Sequence, residues 1–140
     1  MSTLRLLDTN IVSHVIRGDE PGVRERLQGL AVGMVVISAV TEAELRYGLA
    51  RRGHPEGLVQ RVQAFLMRVD ILPWDSAAAQ AYGTLRAACE AAGTVLAALD
   101  MMTAAHALAA DAILVSRDRA FARVGGGLRV ESWLEDAGRH

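Results

Sequence analysis

Four acidic residues stand where an open α/β chain could use them for chemistry: Asp8, Glu44, Asp100 and Asp118. Asp8 directly follows the short apolar run Leu4–Leu7, and Asp118 follows Ala112–Val115 within Ser116-Arg117-Asp118. Glu44 falls in the first turns of a helix that comes after the β-branched run Met34–Ile37. Asp100 stands near the start of another helix and shares a face with Thr103, Ala104 and Ala107, small residues that admit a close neighbour. Ligands of a parallel sheet bind beyond the carboxyl ends of its strands, so acids at these places can converge. Four carboxylates in one pocket repel, and unaided some would take up protons. A divalent cation resolves that conflict. An all-carboxylate set selects a hard cation, Mg²⁺ or Mn²⁺, over zinc, and His14, His54, His106 and His140 show no metal-ligand spacing. Such a cation keeps waters and takes up phosphate oxygens, which points to phosphodiester chemistry. Thr9, Asn10 and Ser116 are polar neighbours suited to orienting a carboxylate, a water or a phosphate.

Each acid also has a plainer explanation. Asp8 can cap the helix that begins near Ile11, and Asp100 can favour a helix N-terminus through the dipole. Asp118 can be a turn residue, and Thr41 with Glu44 fits a capping box. These explanations do not require convergence on one side of a sheet, and the metal reading does. His106 lies about 240° around its helix from Asp100, which assigns it to core packing and not to ligation.

The elements that must position these acids alternate short apolar runs with longer amphipathic stretches, the pattern of an α/β domain with a mainly parallel sheet. Strands are expected at Leu4–Leu7, Met34–Ile37, Ile71–Leu72, Ala112–Val115 and Leu128–Val130. Helices are expected at Ile11–Ile16, Pro21–Leu30, Val40–Arg52, Leu58–Val69, from Asp75 or Ser76 to Ala92, and at Leu99–Ala110, with a helical turn at Arg119–Phe121. No repeat or linker divides the chain, so residues 1–140 read as a single domain.

Composition narrows the chemistry further. All 15 basic residues are Arg, so there is no lysine for a P-loop or a Schiff base. The single cysteine, Cys89, excludes an internal disulfide and a cysteine-rich zinc site. With no evident signal peptide and no apolar run long enough to span a bilayer, a soluble cytoplasmic protein without membrane contact is expected. Aromatic residues make up only 4%, leaving Leu, Val, Ile and Ala to build the core, and the aliphatic surplus leads us to expect an apolar face for a partner. Setting the four acids aside moves the net charge from -1 to +3, a modest attraction for a polyanion. Arg17, Arg46, Arg117 and Arg119 lie near the acidic segments, and either backbone contact or simple solvation fits them.

Leu6-Leu7-Asp8-Thr9-Asn10 and Glu44-Leu45-Arg46-Tyr47-Gly48 resemble the opening motifs of PIN-domain ribonucleases of the VapC toxin type. Leu99-Asp100, with Thr103 to Ala109, is similar to their third motif. Leu114 to Asp118, Phe121 and the stretch Leu128 to Trp133 resemble the fourth motif and the usual ending. The resemblance selects Glu44 over Glu42 as the helix-borne acid. It implies a three-layer α/β/α PIN-like domain and Mg²⁺- or Mn²⁺-dependent endonucleolytic cleavage of RNA, in tRNA or rRNA loops. It also implies 5′-phosphate and 3′-hydroxyl products, and a homodimeric toxin neutralised by a small antitoxin in a hetero-oligomer. Ser116 stands where Thr is more usual, keeping the hydroxyl, and Asp118 supplies an acid where many relatives have Asn. Two other readings compete: a haloacid-dehalogenase-like phosphatase and a non-catalytic PIN-fold binding module. The first needs a second Asp where Asn10 stands, and a lysine. The complete acid set argues against the second.

Overall fold

A computed structural model describes residues 3–117 and 119–133. Asp118 lies outside the described residues. The five strands are β1 (Arg5–Leu7), β2 (Val35–Ser38), β3 (Asp70–Leu72), β4 (Ile113–Val115) and β5 (Val130–Glu131), each near its expected place. They form one sheet in the order β3-β2-β1-β4-β5, with every described pairing parallel. The chain runs outward from β1 through β2 to β3, then returns to place β4 on the other side of β1. That reversal puts the crevice of the sheet at the carboxyl ends of β1 and β4.

Alternation along these short strands divides the core into two layers. Leu7, Val35, Ile37 and Val115 face one side, while Leu6, Val36 and Leu114 face the other. The first layer is covered by α1 (Thr9–Arg17), α2 (Pro21–Gln28), α3 (Ala39–Arg51) and α4 (Glu56–Leu66). The second is covered by α5 (Ser76–Ala91), α6 (Ala98–Ala109) and a 3₁₀ turn over Arg119–Arg123 that inserts Phe121. The result is the three-layer α/β/α arrangement. Ala104, Ala105 and Ala107 are completely buried, so α6 lies close against its neighbours and fixes where its first turn ends up. On the opposite side of β1, α1 ends at Gly18, whose φ of 69° lets its N–H reach the His14 carbonyl without strain.

Several local expectations shift. Helix α4 stops at Leu66, not Val69, and Val69 is buried just before β3 begins at Asp70. The last strand is Val130–Glu131, one to two residues later than expected. Arg5 reaches across β4 to grip it, its Nε and Nη2 donating to the two carboxylate oxygens of Glu131 at 3.1 and 3.2 Å. The Trp133 indole donates to the same carboxylate at 2.7 Å. These donors hold the Glu131 carboxyl below the usual carboxylate range.

The Thr41–Glu44 capping box is not formed. Ser38 ends β2 and caps α3 itself, its hydroxyl accepting from the Val40 N–H at 3.0 Å. The same hydroxyl lies 2.8 Å from Nδ1 of buried His106. His106 therefore packs in the core, tying α6 to the start of α3, as its position on the helix requires. Burial pushes its imidazole below the usual pKa, and the charge of Asp75 opposes this only in part. On acidification the unfolded chain then takes up this proton first. Stability should fall as pH drops below about 6.5 and stop falling once the folded imidazole also titrates. Urea unfolding at pH 7 and pH 5.5 should show a larger acid-side loss for the wild type than for His106→Asn. Equal losses would remove the imidazole from the balance.

Candidate active site

Asp8 sits at the centre of the sheet's crevice because its backbone joins the two strands that form it. Its N–H donates to the Val115 carbonyl at 3.0 Å, extending the β1–β4 ladder by one step. Its Oδ1 accepts from the Ile11 N–H at 2.9 Å, so the carboxylate is also the N-cap of α1. Capping and site membership are compatible here: the residue is buried to 6% exposure yet lines a cavity of about 480 Å³. Thr9 and Asn10, in the first turn of α1, form the adjoining wall.

Across that cavity stand Asp100, in the first turn of α6, and Thr103 one turn later. The Thr103 hydroxyl donates to the Leu99 carbonyl at 3.0 Å, a bond that keeps its oxygen on the helix surface. Arg117 and Arg119 complete the wall from the segment after β4. Asp8 and Asp100 thus line one cavity at the reversal point of the sheet.

Glu44 is placed differently. It lines a neighbouring cavity of about 270 Å³ between α1, α3 and α4, and Thr9 is the residue common to both walls. The hydroxyls of Thr9 and Thr41 are 3.1 Å apart, and Thr9 also makes a close hydrogen bond to Glu44 Oε1. A carboxylate only accepts, so Thr9 must give its one proton to Glu44 and receive one from Thr41. This Thr41–Thr9–Glu44 chain fixes the Glu44 carboxylate beside the residue that follows Asp8. Glu42 points elsewhere, in an ion pair with Arg46 at 2.7 Å on the same helix. Among the described residues, no group of three or more acids, histidines or cysteines is gathered closely enough to hold a metal. Two of the four acids line one cavity, the third is bonded to Thr9 on its wall, and Asp118 is outside the described residues.

The supporting polar residues divide as well. Thr9 and Asn10 reach the site, whereas Ser116 is buried to 1% exposure behind it, its N–H donating to the Glu131 carbonyl at 3.0 Å. Thr41 was legible only as half of a capping box. Its spacing of three before Glu44 was the available signal, and the buried hydroxyl chain is a tertiary feature. Arg17 and Arg46, expected near the site with Arg117 and Arg119, are tied to Asp19 and Glu42.

The neighbouring cavity continues as a groove with an apolar floor of Ile16, Leu45, Leu49, Leu58 and Val62. Arg17, Arg51 and Arg52 rim it, and exposed Tyr47 lies under the Arg51 guanidinium at 5.9 Å. Apolar side chains are also exposed at Val32, Met67, Val95, Leu99 and Val130. No helix among the described residues is long and apolar enough to cross a membrane.

Comparison with known proteins agrees with this architecture. The PIN domain family model matches residues 5–127. The tRNA(fMet)-specific endonuclease VapC of Shigella flexneri is 40% identical over 129 residues, covering 91% of this chain and 96% of that protein. Ribonuclease VapC2 of Haemophilus influenzae is 35% identical over 130 residues, covering 92% and 97%. The crystal structure of VapBC2 from Rickettsia felis, bound to a DNA fragment from their promoter, superposes with a TM-score of 0.86 at 30% identity, covering 93% of this chain and 98% of that one. The phosphatase alternative finds no support in these likenesses. With its sheet order, its strand-end acids and these relatives in agreement, the chain belongs to the VapC ribonucleases of the PIN-domain family.

Proposed function

We propose that this protein is a metal-dependent endoribonuclease toxin that hydrolyses phosphodiester bonds of RNA and is neutralised by a small antitoxin. The observation that carries the reading is the meeting of Asp8 and Asp100 across one open cavity, with arginines on its rim. The donor set fits a hard cation: two carboxylates flanked by hydroxyl and amide oxygens, with no imidazole or thiol among the described residues of the cavity wall. Asp8 and Asp100 would hold Mg²⁺ or Mn²⁺, with Glu44 and Asp118 completing the negative set. When bound, the cation lowers the pKa of a water and neutralises charge on the scissile phosphate. Thr9 keeps Glu44 in one orientation, and the exposed Asn10 amide is available to a phosphate oxygen or a water. Attack of water on phosphorus with loss of the 3′-oxygen leaves a 5′-phosphate and a 3′-hydroxyl.

Transfer RNA is the substrate class favoured, because the Shigella flexneri relative is named for a transfer RNA. The groove beside Glu44 suits an antitoxin segment that lays an apolar stripe on Leu45, Leu49 and Val62. Acidic residues on that segment would meet Arg17, Arg51 and Arg52. The toxin itself is read as a homodimer within a toxin–antitoxin hetero-oligomer, consistent with the apolar side chains exposed away from the site. Purified protein incubated with total RNA should generate new 5′-phosphate ends in Mg²⁺ or Mn²⁺, and cleavage should stop with EDTA and return on readdition of the ion. Undiminished cleavage after chelation would overturn the metal requirement, and intact RNA under all conditions would overturn the nuclease.

A further inference from the structure

We propose that Arg117 and Arg119 form a phosphate clamp that holds the RNA backbone beside the scissile link, a role resting on the nuclease reading above. Both residues are exposed and both line the cavity that contains Asp8 and Asp100. Most arginines near other functional segments are already engaged: Arg46 pairs with Glu42, Arg17 with Asp19, and Arg5 with Glu131. No such ion pair with a described residue is present at Arg117 or Arg119.

Described residues on both sides of these two arginines are anchored. Ser116 is held by its N–H bond to the Glu131 carbonyl, and the following 3₁₀ turn buries Phe121 to 1% and Val124 to 8% exposure. Arg117 follows one of these anchors and Arg119 opens the other, and both side chains line one opening. Charge supplies the direction of the inference. A divalent cation would offset part of the negative set, and the two guanidinium charges on the cavity wall would meet the incoming polyanion. Guanidinium suits this task because its planar fork matches two phosphate oxygens at once. A base-reading role is less well matched, since phosphate contacts position a nucleic acid while base edges specify its sequence.

Binding can be separated from cleavage in an Asp8→Asn background, using a labelled single-stranded RNA and fluorescence anisotropy across a salt series. Arg117→Ala and Arg119→Ala should each weaken binding about tenfold, as expected for the loss of a charge-assisted hydrogen bond. Each should also reduce the slope of log K against log salt by about 0.7, one phosphate contact on a single strand. Arg→Lys at either position should restore the slope with incomplete recovery of affinity, and Arg46→Ala should change neither quantity. Wild-type cleavage of total RNA is assayed in parallel. If the wild type cleaves while both alanine variants keep normal affinity and slope, the clamp is overturned and the nuclease reading stands. If the wild type leaves RNA intact, the nuclease reading falls and the clamp falls with it. If the alanine variants lose affinity for an acidic partner peptide but not for RNA, the two arginines belong to a protein interface and the clamp is overturned.

Discussion

Asp8→Asn should leave the fold intact and remove RNA cleavage. The two roles of Asp8 make this substitution more informative than alanine. As the N-cap of α1 it accepts from the Ile11 N–H at 2.9 Å, and Asn performs that function about as well as Asp. As a metal ligand it must contribute negative charge, which Asn lacks. Disturbing only the partners of metal ligands costs 10–100-fold, so loss of a ligand should lower cleavage by about a hundredfold or more. The melting temperature should move by no more than about one degree, because the cap is retained. Asp8→Ala separates the roles from the other side: it should lose cleavage equally and also lose about 1 kcal/mol of stability with the cap. Calorimetry and an RNA cleavage assay on the same preparations make the comparison. Wild-type cleavage by Asp8→Asn would reduce Asp8 to a helix cap.

How much of this was legible in the sequence depends on whether the signal was local. The strands were found because each is a short apolar run, and Leu6 against Leu7, or Val36 against Ile37, needs only the pleat to assign opposite faces. His106 was placed in the core by angle alone. The start of α3 was expected at Val40, one residue from where it falls, but its cap was not legible because Thr41 and Glu44 form a good local capping-box pattern. In the folded chain Ser38 is both the last residue of β2 and the cap of α3, which leaves Thr41 a full turn inside the helix, free to bond Thr9. The four arginines near the acids illustrate the opposite case. Proximity along the chain could not rank them, because Arg17 and Arg46 are claimed by neighbours on their own segments while Arg117 and Arg119 face the cavity. The meeting of Asp8 with Asp100, 92 positions apart, was inferable only through the rule that parallel sheets gather ligands at strand ends.

Glu44→Gln should lose cleavage while Glu42→Gln keeps it. Two residues apart on α3, these side chains point about 200° from one another and cannot both face the site. Their surroundings now distinguish them. Glu44 receives the Thr9 hydroxyl, immediately beside Asp8, in a chain that begins at buried Thr41. Glu42 is held by Arg46 at 2.7 Å across one helical turn. An exposed pair of that kind contributes only about 0.3–0.5 kcal/mol, so Glu42→Gln should barely change the melting temperature or the activity. In Glu44→Gln the amide oxygen still accepts from Thr9, and no cap is lost because Ser38 supplies it. Folding should therefore be close to normal. What disappears is a negative charge whose geometry the threonines have fixed. If that charge helps to hold the cation, cleavage should fall at least about tenfold and the Mg²⁺ concentration for half-maximal activity should rise. A metal titration of both variants beside the wild type reads the two effects separately. An active Glu44→Gln with an unchanged titration, or a dead Glu42→Gln of normal stability, would move the helix-borne acid away from position 44.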